Sequence, residues 1–527
     1  MDMVDEPESQ PPPSFTAQGK LAALSSGHVK EDQTKAIYCV AWSDDIRANV
    51  TDETLERSPS PNTASSSSPP PEDACEKSVT RYYRSLASCA GGRVTIYEVE
   101  VPNPASSDWK SHQRSSNFMP KQCYIDPDPD ESYYACCFGG RSVGYYAAQL
   151  PPASTSCVKA SAATPSTSSK PNCSTSTAAT SNANDGEFRL PGNTNREEGD
   201  MDSKSSSQTG CIFDLEQDVY LGLLLDPNYE LSGPQLLCVG GKGFAIKVID
   251  TVRQKLLMTL SGHGEELAAL KMSPISEWIL LSASFDRSCR LWNLRNGSCI
   301  AYFAGHEGHK DIVMSCAWHP LGHRIVTGGH DTYVKIWDVG EETDVGRAIE
   351  QSFSVNLKAN VNGTVEAETY VEPVFVHFPI HSTSKVHFQP VDCVEFIGDL
   401  ILSKANDIMV LWDPDYTYNE GPDVTHRLPD RVTVLQEYKI KGVEPDFMYY
   451  RFGTTRSART WAVGSQEGDV YVWDDNTMGI SDLKLRITQN RQTVIRMVVF
   501  SPDDRILVCC CDDGGLWKWD LHRKASK

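Results

Sequence analysis

The chain has 527 residues, with 49 Lys and Arg against 70 Asp and Glu, so its formal charge is 49 − 70 = −21. A surface this acidic repels nucleic acid and favours basic partners, while the length admits several domains or one large all-β domain with insertions. The 17 cysteines are odd in number and irregularly spaced, which suits reduced thiols in a cytosolic or nuclear protein better than a disulfide framework; no run of 18 apolar residues is present to span a membrane.

In chain order, residues 1–18 ("MDMVDEPESQPPPS" and onward) are acidic and proline-rich, unlike a signal peptide, and are expected to be disordered. The stretch "GKLAALSSGHV" at 19–29 reads as a short strand ending in Gly27-His28. Residues 51–80 and 151–210 are rich in Ser, Thr, Pro, Ala and Asn. Neither buries enough apolar surface to offset its ordering entropy, so both are expected to be disordered insertions. Residues 341–390 form a third, long insertion whose "VEPVFVHFPIH" is apolar enough to pack, and 523–527 are a tail.

The remainder repeats. Five segments, "FDRSCRLWN", "HDTYVKIWD", "ANDIMVLWD", "QEGDVYVWD" and "CDDGGLWKWD", carry Trp292, Trp337, Trp412, Trp473 and Trp519 at spacings of 45, 75, 61 and 46 residues. Weaker copies, "GGRVTIYEV" and "GKGFAIKVID", place Tyr97 and Ile249 in the same slot, which makes seven. An acidic residue or Asn stands six positions before each tryptophan: Asp286, Asp331, Asn406, Glu467 and Asp513. Gly-His pairs occur at 262–263 and 308–309. The unit resembles the WD40 repeat, four strands forming one blade of a propeller. The expected fold is therefore an all-β, seven-bladed WD40 β-propeller over 19–522. Its last blade borrows an outer strand from residues 19–29, which closes the ring and removes two open edges.

Within such blades a buried His, Ser or Thr, Asp and Trp lock a turn. His263, Ser282, Asp286 and Trp292 form one expected set, and His309, Asp331 and Trp337 belong to another. The Ser282–His263–Asp286 trio imitates a hydrolase triad, but it recurs with the repeat and no G-x-S-x-G elbow frames it. No glycine-rich phosphate loop appears, and Cys509, Cys510 and Cys511 alternate along a strand and cannot converge on one ion. His381 and His387 have no partner cluster in the sequence. No catalytic residue, metal or cofactor is therefore expected.

Aligning each innermost strand on its last bulky residue (Trp42, Phe138, Met272, Trp318, Phe396, Phe452, Phe500) and stepping back four places gives Tyr38, Tyr134, Ala268, Met314, Asp392, Met448 and Arg496. In a propeller this series lines one mouth of the channel. The crowded stretch "DFMYYRF" at 446–452 adds Tyr449, so blades 6, 7, 1 and 2 build an aromatic arc. Aromatic faces hold a methylated ammonium through cation–π attraction of about 0.5–2 kcal/mol each. The same rings would also serve simply to plug the mouth.

The runs "SGHGEELAALKMSP", "VDCVEFIGDLILSKANDIMVLW", "YYRF", "VIRMVVFS" and "CDDGGLWKWD" resemble the ESC/EED family, the WD40 subunit of Polycomb repressive complex 2, over roughly 20–45, 81–138 and 212–522. The resemblance implies a nuclear, non-catalytic scaffold. It implies binding to the SET-domain histone methyltransferase subunit and other Polycomb subunits, with no direct nucleic acid and no membrane. It also implies reading of a methylated histone H3 tail, with stimulation and spread of repressive methylation. The family's aromatic cage falls on Tyr38, Tyr134, Met448 and Tyr449, and its tail contacts on Arg496 and Arg451. Methionine stands where the family has tryptophan, and a thioether lacks the ring quadrupole. A three-walled cage with a Kd of about 100 µM or weaker is expected for a lone peptide. An assembly-only scaffold with a vestigial cage, or a substrate receptor of a ubiquitin ligase, are the alternatives.

Overall fold

The computed structural model describes residues 21–31, 35–53, 77–101, 118–139, 236–354, 357–359, 365–367, 372–415, 430–444, 449–475, 481, 483–487 and 493–523. Seven blade sheets follow one another, each starting from an innermost strand, and a separate two-stranded sheet pairs Leu357–Ala359 with Val365–Ala367. Those innermost strands are Ile37–Glu53, Tyr133–Gly139, Leu267–Met272, Val313–Trp318, Cys393–Ile397, Gly453–Thr454 and Ile495–Phe500, for blades 1 to 7. Each side of a sheet faces another blade, so its strands are apolar on both faces. Accordingly, seven buried clusters lie one between each pair of neighbouring blades. The five repeat tryptophans are buried in these seams.

The ring closes between the two ends of the chain. Leu21–Lys30 pairs antiparallel with Gly515–Arg523 as the outer strand of blade 7, and His28 stacks on Trp517 at 4.6 Å and 16°. Blades 6 and 7 approach closely at the channel: Arg451 N–H donates to the Arg496 carbonyl at 2.7 Å. A Cβ on Gly453 would stand 2.2 Å from the Val498 carbonyl oxygen, so only glycine fits there.

Two expected boundaries change. The first and second strands of blade 1 run to Glu53 and begin at Lys77, so strand enters the 51–80 insertion from both sides. Residues 54–76, 151–210 and 1–18 lie outside the described residues. The 341–390 segment is not simply an insertion. Its His381–Thr383 is the outer strand of blade 4, and Val374–Val376 adds a fifth strand, parallel, to blade 3. A helix, Asp344–Phe353, opens the segment. Thr343 Oγ1 caps it by accepting from Gly346 N–H at 3.0 Å. Val345 and Ala348 pack into the seam of blades 3 and 4.

Candidate functional site

One backbone device recurs at the channel mouth. In blades 1, 2, 3, 4 and 7 the register between the innermost strand and its neighbour slips by one residue. The skipped residues are Tyr38, Tyr134, Ala268, Met314 and Arg496. A bulge leaves its extra residue unpaired and re-aims its side chain. The pairing resumes one residue on, and the bulged residue is left out of the ladder. These five belong to the series read from the repeat. Met448 lies outside the described residues, and Asp392 departs from the pattern. It is fully buried and ion-paired at 2.7 Å to the equally buried Lys404, whose ammonium lies 3.5 Å from the Tyr450 ring centroid. Tyr450 is buried, and its hydroxyl donates to the Asn406 carbonyl.

The tyrosines of blades 1 and 2 meet. Tyr38 and Tyr134 pack edge to face with centroids 5.5 Å apart and planes at 84°, a favoured aromatic geometry. The Arg496 guanidinium carbon lies 5.7 Å from the Tyr38 centroid. Asp512 accepts from both Arg496 Nε and Nη2, at 2.5 and 2.7 Å, and so orients the fork. Tyr449 is 41% exposed and has left-handed backbone, φ 64°. Its ring lies 6.5 Å from Phe285, tilted by 36°. Burial pushes the Tyr134 hydroxyl up to about 12, reinforced by the Glu266 carboxylate, Tyr38 and Tyr449. Tyr449 is shifted upward by burial and then by Glu266. Both phenols are neutral at physiological pH; Glu131 also raises Tyr134, and Asp392 also raises Tyr449. Phe285 and Glu266 were not singled out by the repeat, because both lie outside the aligned strand positions.

Arg451, expected to contact a histone tail, is aimed elsewhere. Its guanidinium donates to the carbonyl oxygens of Ala268 and Met314, the latter at 3.2 Å, on the opposite side of the channel from blade 6. It ties the bulged strands of blades 3 and 4 to blade 6 across the opening.

The buried polar sets are closed circuits. Asp286 is held well below the usual carboxylate range: burial opposes this, but hydrogen bonds from His263, Ser288 and the Gly264 N–H outweigh it. The carboxylate therefore accepts from His263 Nδ1 at 2.8 Å. The His263 Nε2 then accepts from Ser282 Oγ at 2.7 Å, and Ser282 accepts from Trp292 Nε1 at 2.9 Å. Burial lowers the His263 pKa, so the imidazole is neutral. In blade 4, His309 joins Asp331 and Thr327 at 3.0 and 2.8 Å, and Trp337 donates to Thr327 at 3.0 Å. Ser282 is fully buried and engaged on both sides, so its hydroxyl is not an accessible nucleophile.

His387, which had no partner in the sequence, completes a third set: Nε2 meets Ser403 Oγ at 2.7 Å, and Trp412 donates to the same oxygen at 2.9 Å. His381 is likewise partnered, by the Arg431 carbonyl at 2.9 Å. Blade 1 substitutes Glu31, which accepts from Ser88 Oγ and from Tyr97 Oη, the latter at 2.9 Å. Blade 2 uses Asp126, which accepts from Tyr133 Oη and Lys247 Nζ.

The seven sheets, the recurring His–Asp–Ser/Thr–Trp sets and the closed ring define a WD40 β-propeller protein. The WD40 family model (WD domain, G-beta repeat) matches residues 254–293, 297–338 and 484–520. Polycomb protein esc of Drosophila virilis is 31% identical over 321 residues, spanning 60% of this chain and 72% of that protein. Polycomb group protein FIE1 of Oryza sativa subsp. japonica is 33% identical over 301 residues, 56% of this chain and 74% of that protein. The chain belongs to the ESC/EED family of Polycomb proteins. A chain of the Chaetomium thermophilum polycomb repressive complex 2 shares the fold, with a TM-score of 0.56 at 15% identity, covering 95% of this chain and 97% of that one.

Proposed function

We propose that this chain is the non-catalytic WD40 subunit of a Polycomb repressive complex 2 in the nucleus. In this reading it holds the SET-domain methyltransferase subunit, joins the other Polycomb subunits, and reads methylated lysine on a histone H3 tail at the channel mouth. The observation that carries the reading is the edge-to-face pair of Tyr38 and Tyr134 from blades 1 and 2, 5.5 Å apart, with the Arg496 guanidinium 5.7 Å from the Tyr38 ring and the half-exposed Tyr449 supplied by blade 6. Neutral aromatic faces attract a methylammonium while costing little desolvation of its methyl groups. A tail bound there stimulates the enzyme only through contacts that differ between its basal and active states.

The test is a titration of the full chain with trimethylated and unmethylated histone H3 tail peptides. Preference for the trimethylated peptide is expected. Tyr134→Ala should reduce that preference by about tenfold. Equal affinity of the unaltered protein for both peptides removes the reader role and leaves the assembly-only scaffold. That second reading draws on Arg451, which spans the opening as a structural tie rather than facing a ligand.

A further inference from the structure

Blade 3 breaks the aromatic arc at its own bulge, where it supplies only the methyl group of Ala268. Yet the same blade presents a ring from the adjoining turn. Phe285 follows the second strand, Ile279–Ser284, and its N–H donates to the Glu266 carbonyl at 2.8 Å. Ser284 Oγ, one residue before, donates to the Glu265 and Glu266 carbonyls at 3.1 and 2.9 Å. Asp286, one residue after, is fixed by His263 and the Gly264 N–H. The turn is thus pinned on both sides of Phe285, and the ring stands 6.5 Å from the half-exposed Tyr449. A backbone held this firmly is preorganised, which limits the ordering that accompanies ligand binding.

We propose that Phe285 is a wall of the methyl-lysine site. It pairs with Tyr449 on one side as Tyr38 pairs with Tyr134 on the other, and it supplies the fourth aromatic face in a chain whose residue 448 is methionine. This rests on the methyl-lysine reading above. The ligand class is a trimethylated lysine side chain.

The experiment compares the full-length protein with Phe285→Leu, Phe285→Trp and Tyr134→Ala by fluorescence anisotropy, using trimethylated and unmethylated histone H3 tail peptides. Leucine keeps the apolar bulk and removes the quadrupole. It should weaken trimethylated-peptide binding about fivefold and leave the unmethylated peptide unchanged, whereas tryptophan should tighten the trimethylated complex. If Tyr134→Ala loses discrimination while both Phe285 variants bind like the parent, the fourth wall is wrong and the reading stands. If the parent itself does not discriminate, the reading fails and this inference fails with it. Should Phe285→Leu not fold, the tryptophan variant decides alone: no gain in affinity for the trimethylated peptide overturns the proposal.

Discussion

Blades 3 and 4 and blades 1 and 2 solve the same problem with different residues. The first pair carries complete His–Asp–Ser/Thr–Trp sets and offers Ala268 and Met314 at the mouth. The second pair replaces the sets with Glu31–Ser88–Tyr97 and Asp126–Tyr133–Lys247, and offers Tyr38 and Tyr134. In these four blades a buried polar cluster is closed by different side chains, whereas the blade 6 repeat tryptophan, Trp473, has its buried indole N–H without a hydrogen-bond partner. The bulge separates the two tasks. In blades 1, 2, 3, 4 and 7 it takes one residue out of the ladder at a position separate from the turn lock of the same blade.

Blade 5 gives the sharpest way to break this comparison, because it adds the Lys404–Asp392 pair to its His387 set. Lys404→Met strands a carboxylate in a fully buried position and should cost about 3–5 kcal/mol, read from the midpoint of urea unfolding. Replacing both partners by apolar residues should recover much of the loss. If the single substitution proves neutral, the pair is not what holds this blade.

Acid separates the blades next. Burial lowers the pKa of His263 and His309, and lowers that of His387 to about 3, with Lys404 adding to the shift. The unfolded imidazole takes up a proton near pH 6.5, whereas the folded one resists until far lower pH. Unfolding is therefore favoured as pH falls, and His387 alone should remove about 3 kcal/mol between pH 6.5 and pH 4. Hydrogen exchange at pH 5 should show blades 3, 4 and 5 opening before blade 1, whose set contains no imidazole. Uniform loss of protection would show that the locks do not act blade by blade.

The smallest stability effect tests the substitute set itself. Glu31→Ala leaves the Ser88 and Tyr97 hydroxyls without their shared acceptor and should cost about 2 kcal/mol. A drop in melting temperature with unchanged peptide affinity would confirm that lock and mouth are independent.

Much of this was legible because the repeat is local. A tryptophan, an acid six residues earlier and a bulky strand end recur within one blade, and the bulged mouth positions inherit that spacing. What escaped depends on distant or irregular chain. Glu31 meets Tyr97 across 66 residues, and no periodicity marks a glutamate as a stand-in for histidine. His387 looked isolated because the outer strand of blade 4 sits just before it, inside what reads as an insertion. Phe285 occupies a turn, where no alternation assigns a face. Arg451 came from the family resemblance alone, and its bonds to the Ala268 and Met314 carbonyls join segments more than a hundred residues apart, which no local spacing signals.

The pairing of Leu21–Lys30 with Gly515–Arg523 also governs how the molecule is made. On the ribosome, the first strand emerges hundreds of residues before its mate. Blade 7 therefore stays incomplete until Gly515–Arg523 has emerged, with one sheet edge waiting for a neighbour. Closure is a late, all-chain event, and a nascent protein stalled before blade 7 is a natural client for chaperones.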